Sequence, residues 1–540
     1  MEKRDSTDCS EMEAYKMNQE ENKGLILLKK GRKGMAHLIF SRVGLIFLLM
    51  ALHVALLFAA FRWFENSLPY FYGLSSLFTV AMVLYLLNSG MDPSAKITWL
   101  IVVMTFPLFG VLLFWYTQSD IGHRVLMKRQ AQMISQTKNS IPQPEGVMER
   151  LSEEAPGAAA LAHYLQRSGC YPVYDNTAVT YFPQGEDKWD ELLRQLDQAK
   201  HFIFLEYFIV DEGVMWGKVL EILARKAAEG VEVRMMYDGT CEFFILPHDY
   251  PKRLEALGVH CKMFSPVTPF LSTHYNYRDH RKILLIDGHT AFTGGVNLAD
   301  EYINRVERFG HWKDTAIMLK GDAVKSFTLM FLQMWNLDAK HPDFGRFLSY
   351  PTYPPENASG YIIPYGDCPL DSDKVGERVY MDILNRAKHY VHIMTPYLIL
   401  DSELESAVKF AAERGVDVSI ILPGIPDKSV PYAIAWTHYA SLLDSGVKIY
   451  EYTPGFVHAK VFVSDDTVAV VGTINLDYRS LYHHFECAAY LCGSACIPQI
   501  ERDFQETREK CRAVTPQSVR KEKLSRKIKG ILLKVIGPLL

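Results

Sequence analysis

The chain has 540 residues, long enough for more than one domain, and its 58 basic and 62 acidic residues leave a formal net charge of −4. That balance excludes a protein that works through a global basic field on nucleic acid. The nine cysteines are odd in number and scattered, and no second pair matches Cys492 and Cys496, which argues against a disulfide framework and a structural zinc site.

Residues 1–23 are polar and acid-rich without apolar periodicity, the pattern of a disordered tail. With the basic cluster Lys29, Lys30, Arg32 and Lys33 they make an N-terminal segment, 1–42. Three apolar runs follow, 43–61, 70–87 and 97–116, the last ending in the aromatic cluster Phe114-Trp115-Tyr116. Each approaches the roughly 20 residues needed to cross a bilayer, so 43–118 is predicted to hold transmembrane segments. A signal peptide starts nearer the N-terminus and is not followed so soon by two more runs. Arg124, Lys128 and Arg129 make the second flank basic too, so two topologies stay open. Either three spans separate the tail from the large domain, or the first run lies in the interface and both are inside. Residues 119–159, with Pro142, Pro144, Gly146, Pro156 and Gly157, read as a linker.

The rest is an internal duplication. AKHFIFLEYFIV from Ala199 is echoed by AKHYVHIMTPYLIL from Ala387. KAAEGVEV is echoed by AAERGVDV, and ALGVHCKMF by DSGVKIYEY. Strands alternating with helices predict an α/β fold of two halves, 160–345 and 358–515, joined by a Pro- and Tyr-rich stretch at 350–357. In the last segment, 516–540, lysines and arginines alternate with Leu, Ile and Val. It reads as a basic amphipathic helix, lying on an anionic membrane or docked on the domain.

The third echo leads into a repeated stretch, NYRDHRKILLIDGHTAFTGGVNLAD and GFVHAKVFVSDDTVAVVGTINLD. Each holds His-x-Lys, an Asp five residues on, and Gly-x-x-Asn. The first set is His280, Lys282, Asp287, Gly294 and Asn297; the second is His458, Lys460, Asp465, Gly472 and Asn475. On a strand, residues i and i+2 share a face, so each imidazole projects beside an ammonium. That pair suits a nucleophile attacking phosphorus whose oxygens need a cation. The Asn amides can donate to phosphate oxygens. A single His-x-Lys is usually an ordinary half-exposed strand; two copies with the same His-to-Asp and Asp-to-Gly spacings are not. Asp287 and Asp465 precede turn residues and are expected to brace the fold. Glu486 in HHFECAAYL and Asp314 in GHWKDTAIML follow the two motifs at corresponding places. A carboxylate on an imidazole fixes its tautomer, and each acid is assigned to the histidine of its own half: Glu486 to His458, Asp314 to His280. Glu206, an acid within the apolar strand LEYFIV, is either a pocket residue or a strand-edge residue.

The duplicated H-x-K-x4-D pattern resembles the phospholipase D superfamily. YNYRDHRKILLIDG, LPGIPDK, YEYTPGFVHAK and the hairpin AMVLYLLNSGMDPSAKITWLIVVMTFPLFG are similar to bacterial cardiolipin synthases, from about residue 70 to the C-terminus. The resemblance implies two phospholipase-D-like α/β sandwich halves in pseudo-twofold relation, preceded by N-terminal transmembrane helices, in a multi-pass protein of a bacterial cell membrane. It implies that both histidines meet in one pocket, with His280 the nucleophile and His458 the acid and base. Phosphatidylglycerol is then the substrate, the bilayer the partner, and nucleic acid is not one. No cofactor or metal is expected, because two lysines supply the positive charge. Alternatives are a hydrolytic phospholipase D, another phosphatidyltransferase, a membrane-tethered nuclease, or a scaffold with dead motifs.

Overall fold

The computed structural model describes residues 24–27, 55, 68–118, 121–169, 171–266, 277–339, 341–353, 355–371 and 373–537. The tail at 1–23, the basic cluster and almost all of the 43–61 run lie outside them. Among the described residues no helix is long and apolar enough to cross a membrane.

The 70–87 run lies in helix α1 (Leu68–Asn88). The 97–116 run, expected as one rod, is two helices, α2 (Pro93–Thr105) and α3 (Pro107–Gln118). Phe106 closes α2 by donating its N–H to Val102 O at 2.9 Å, and Pro107 has no N–H to continue the ladder. The chain then folds back. Trp99 and Phe114, one on each side of the break, meet edge to face with centroids 5.1 Å apart. A β-carbon on Gly110 would lie 2.8 Å from the Val103 Cα, so the two helices close on each other only because residue 110 is glycine.

Helix α4 (Ile121–Thr137) follows, then α5 (Val147–Glu154) and α6 (Pro156–Gly169). The stretch expected as a linker is therefore helical. Val147, Leu151, Leu161 and Leu165 are buried in the core of the second half, beside Val379 and Ile383.

Each half is built on a mixed sheet. The first has the order β1-β9-β7-β6-β2-β3-β4. Its strands are β1 (Thr177–Phe182), β2 (Phe202–Tyr207), β3 (Glu232–Asp238), β4 (Val259–Phe264), β6 (Lys282–Ile286), β7 (Thr290–Gly294) and β9 (Ala316–Gly321). The second has the order β10-β17-β16-β15-β11-β12-β13-β18. Its strands are β10 (Tyr361–Asp367), β11 (Tyr390–Met394), β12 (Asp417–Pro423), β13 (Lys448–Tyr452), β15 (Val461–Ser464), β16 (Val468–Gly472), β17 (His484–Cys492) and β18 (Cys511–Ala513). Every residue of KILLI in β6 and VFVS in β15 is buried, which is why these strands read as unbroken apolar runs. Ile283, Leu285 and Phe204 of the first half share one core with Val461, Val463 and Phe485 of the second.

Two short parallel pairings cross between the halves. Strand β5 (Arg278–Asp279) pairs with β17, matching Arg278 with His484 and Asp279 with Phe485. Strand β8 (His311–Lys313) pairs with β14 (Gly455–Val457), matching Trp312 with Phe456 and Lys313 with Val457. Each half thus lends the segment before its histidine to the acid-bearing strand of the other.

Candidate active site

The cross-pairing decides which carboxylate each histidine meets. His280 follows β5 directly and donates its backbone N–H to Phe485 O at 2.9 Å; His458 follows β14 and donates to Lys313 O at 2.7 Å. The next residue on each partner strand is an acid. The Nδ1 of His280 lies 2.9 and 3.0 Å from the two oxygens of Glu486. The Nδ1 of His458 lies 2.7 Å from Asp314 Oδ2. The pairing expected within each half is therefore reversed: Glu486 serves His280 and Asp314 serves His458. A ring nitrogen facing a carboxylate carries the proton, so both Nε2 atoms keep a lone pair.

The two acids are held differently. Glu486 accepts the Thr473 hydroxyl as well. Asp314 instead packs on Gly295, where a β-carbon would lie 1.9 Å from its Oδ1, and accepts the Thr315 N–H at 2.8 Å. The shorter acid sits against glycine and the longer one against threonine.

Both motif lysines are buried, and each turns its ammonium back onto the carbonyl of its own histidine. Burial pushes Lys282 down to about 8 and Lys460 to about 7. Burial, then Lys282, Lys460 and His458, holds the His280 imidazole well below its ordinary 6.5. Burial and Lys460 push His458 down to about 4 against the pull of Asp314, and Lys282 adds to the push. Each imidazole feels the other half's lysine, so the motifs converge on one electrostatic centre. The result is two neutral nucleophile-capable rings beside cations whose charge an anionic ligand would stabilise.

Asp287 and Asp465 stand apart from this chemistry. Asp287 accepts the backbone N–H groups of Lys200, His201 and Phe202 at 2.7, 2.7 and 2.8 Å. Asp465 accepts those of Lys388, His389 and Tyr390. Both have left-handed backbones, φ 51° and 53°, at the hairpin turns. They tie the motif hairpin to the start of β2 or β11, the bracing role expected, and the repeated Lys-His with the aromatic residue after it supplies the three donors. Asn297 is clasped: its Oδ1 accepts the Ile209 N–H at 3.1 Å and its amide donates to the Tyr302 hydroxyl at 2.8 Å. Asn475 is buried and its Oδ1 has no hydrogen-bond partner, which leaves an acceptor for a ligand hydroxyl, while only its amide N–H can donate to a phosphate oxygen. Glu206 is not at a sheet edge: its strand β2 lies between β6 and β3. It is wholly buried in the first sheet, 2.8 Å from Arg281 Nη2, and burial pushes its carboxyl well above the ordinary range against the pull of that guanidinium.

Sequence reasoning missed the walls. Trp312 and Tyr302 flank His458 with centroids 5.4 and 5.3 Å away. Phe208 and His484 flank His280 at 4.9 and 5.3 Å. Trp312 and His484 occupy equivalent places, two residues before Asp314 and Glu486. His280, His484 and Glu486 bring ligand atoms within 4.8 Å of one another, a grouping that could hold a metal ion. The two ammonium groups beside it oppose a further cation. Lys188 is also buried, with Nζ 3.2 Å from the Tyr207 hydroxyl, and burial lowers it to about 7. The acids were visible beside His484 and Trp312 in HHFE and HWKD; their exchange between halves was not.

The family described as "Cardiolipin synthase, PLD-like domain" matches residues 192–335 and 380–508, segments that carry both motifs. The chain is 32% identical over 463 residues to a cardiolipin synthase of Alkalihalophilus pseudofirmus, covering 83% of this chain and 91% of that one. It is 32% identical over 467 residues to cardiolipin synthase 2 of Bacillus anthracis, covering 86% and 90%. An uncharacterized protein of Streptococcus mutans is 57% identical over 461 residues, covering 85% of this chain and all of that one. In fold, a phosphatidylserine synthase of Haemophilus influenzae superposes with a TM-score of 0.52 at 15% identity, covering 67% of this chain and 95% of that one. With two crossed histidine–acid pairs inside the matched segments and a shared length of more than four fifths of the chain, the protein belongs to the PLD-like cardiolipin synthase family.

Proposed function

We propose that the protein transfers a phosphatidyl group between two phosphatidylglycerol molecules, giving cardiolipin and glycerol. The observation that carries this reading is the pair of carboxylate-held imidazoles from opposite halves around two buried lysines. The Nε2 of His280 attacks the phosphorus, and the bond to the headgroup glycerol oxygen breaks. His458, protonated once the anionic lipid is bound, gives that oxygen its proton and frees glycerol. The phosphatidyl group is then held on His280 through a P–N bond. A hydroxyl of a second phosphatidylglycerol gives its proton to His458 as its oxygen attacks the phosphorus, and the P–N bond breaks. Lys282, Lys460 and Asn475 hold the phosphate oxygens as charge develops. Glu486 stabilises the positive charge that builds on His280, and Asp314 that on His458. His280 takes the nucleophile's part by resemblance to the family, and burial leaves its ring neutral and able to attack. The membrane is the source of both lipids.

The test is purified protein incubated with phosphatidylglycerol, with and without added short alcohols. Cardiolipin and glycerol in equal amounts are expected. Phosphatidic acid as the sole product would replace the transferase by a hydrolytic phospholipase D, and a cleaved oligonucleotide would replace both by a nuclease.

A further inference from the structure

The two catalytic halves match, but the rims beside them do not. Ile209 and Tyr397 hold equivalent places after the repeated Ala-Lys-His. In the first half the Ile209 N–H occupies the Asn297 Oδ1. In the second, Tyr397 precedes Leu398, which pairs with Leu476, the residue after Asn475, and the Asn475 Oδ1 stays unpaired. Tyr397 instead binds the loop after β12. Its hydroxyl donates to Asp427 Oδ2 at 2.7 Å and accepts from Lys428 Nζ at 3.2 Å, and that ammonium lies 3.3 Å from the same carboxylate oxygen. The other oxygen, Asp427 Oδ1, is buried with no hydrogen-bond partner. Asp238, the acid that ends β3 in the first half, is by contrast spent on the N–H groups of Thr240 and Asp279.

That loop is fixed to the catalytic centre. The N–H groups of Gly424 and Ile425 both reach Gly455 O at 3.1 Å, at the start of β14, which leads into His458. A β-carbon on Gly310, just before β8, would lie 3.1 Å from Ile425 Cδ1. Lys428 opens the helix Ser429–Asp444, whose start has no side-chain cap, so its positive end favours an anion. The Lys428 side chain is 66% exposed, yet its ammonium is drawn back over the Tyr397 ring, 5.4 Å from the centroid. From there its charge reaches the His280 imidazole: it adds to burial, Lys282, Lys460 and His458 in holding that ring below its ordinary 6.5.

We propose that this rim is the subsite for the acceptor lipid: Lys428 takes the acceptor's own phosphate, and Asp427 Oδ1 and Asn475 Oδ1 take the middle hydroxyl of its headgroup glycerol. The inference rests on the transfer reading and names what selects the molecule that receives the phosphatidyl group. An acceptor phosphatidylglycerol offers three features in a row: the attacking primary hydroxyl, a middle hydroxyl, and a phosphate on the third carbon. Water and simple alcohols offer only the first. The catalytic lysines hold the phosphorus under attack, so a second phosphate needs a second cation, and Lys428 is placed to supply it. An acceptor oxygen left buried and unpaired costs free energy until a ligand hydroxyl fills it. The Asp427–Lys428 pair carries no net charge, so an ammonium headgroup gains little there, while a hydroxyl beside a phosphate meets a partner for each group. The rim also belongs to the right half: His458, which takes the proton of the incoming hydroxyl, is carried by the same half as Asp427, Lys428 and Asn475.

The test uses the full chain in mixed micelles of phosphatidylglycerol and detergent, with soluble acceptors in competition. These are glycerol 3-phosphate, 3-hydroxypropyl phosphate, which lacks the middle hydroxyl, and isotope-labelled glycerol, which lacks the phosphate. All draw on one phosphatidyl intermediate, so the product ratio reports acceptor choice and not the rate at which the intermediate forms. The wild type is expected to favour glycerol 3-phosphate over labelled glycerol by about tenfold or more, the value of one charge-assisted contact, and over 3-hydroxypropyl phosphate by a smaller factor. Lys428→Met should erase the first preference, keep the second, and lower the ratio of cardiolipin to labelled phosphatidylglycerol; Lys428→Arg should keep both preferences. Unchanged ratios in Lys428→Met, with transfer intact, would overturn the phosphate subsite and leave the reaction standing. A wild type indifferent to the middle hydroxyl would overturn the part given to Asp427 and Asn475. Phosphatidic acid alone, with no transfer to any acceptor, would remove the proposed reaction and this subsite with it.

Discussion

The carboxylate that holds the His280 imidazole belongs to Glu486, 206 residues further along the chain and in the other half, at 2.9 Å. The reciprocal pair, Asp314 with His458, spans 144 residues at 2.7 Å. Neither half can present a complete histidine–acid pair alone.

The exchange has a kinetic consequence. Glu486→Gln should slow only formation of the covalent adduct, because its partner is the nucleophile, while Asp314→Asn should slow both formation and release, because His458 protonates the departing glycerol and then takes the proton of the incoming hydroxyl. Each should lower kcat by about 10²–10⁴-fold. Mass spectrometry of acid-quenched enzyme reads the adduct on residue 280. An adduct that accumulates in Glu486→Gln and is missing in Asp314→Asn would mean that each acid serves its own half.

Asp287 and Asp465 each satisfy three backbone N–H groups at a strand start. Their alanine variants should lose about 3–5 kcal/mol of stability, since three charge-assisted bonds go at once. The rate per folded molecule should fall less than about tenfold. Thermal melts paired with active-site titration separate the two effects; a fully folded but dead Asp287→Ala would contradict the bracing role.

Activity should fail on the alkaline side. Burial leaves Lys460 at about 7 and Lys282 at about 8, so the free enzyme loses phosphate-holding charge as the pH rises through that window. The kcat/KM profile should decline from near neutrality, and kcat from a higher pH, because bound phosphodiester raises both lysines. Lys460→Arg, which keeps its charge, should move the limb upward even if it slows the reaction. A limb that stays in place would rule Lys460 out as its source.

The same burial predicts a trade between stability and function. Lys460 binds its proton less readily folded than unfolded, so its contribution to stability rises with pH between about 7 and 10.5. At pH 7 the folded protein still carries the cost of the desolvated charge. Lys460→Met should therefore be inactive and more stable at pH 7 by about 1–4 kcal/mol, with the gain shrinking toward pH 10. Denaturant midpoints at both pH values check this; a less stable variant at pH 7 would show that the bond to the His458 carbonyl outweighs the burial cost.

The amino-acid order by itself determined the duplication, the strands and the two His-x-Lys sites, because apolar periodicity and spacing along a strand are local properties. It also marked Asp287 and Asp465 as turn residues, and the turns KH–FIF and KH–YVH that receive them are repeated in the sequence. Tertiary structure alone decided that β5 joins β17 and β8 joins β14, because strand partnership is a long-range choice that no local pattern encodes. That choice exchanged Glu486 and Asp314, buried Glu206 against Arg281, and set Tyr302 and Trp312 beside His458. It also folded the 97–116 run onto itself at Pro107, where composition read a single rod: hydropathy counts apolar residues, and only packing of Gly110 on Val103 shows that the chain turns back.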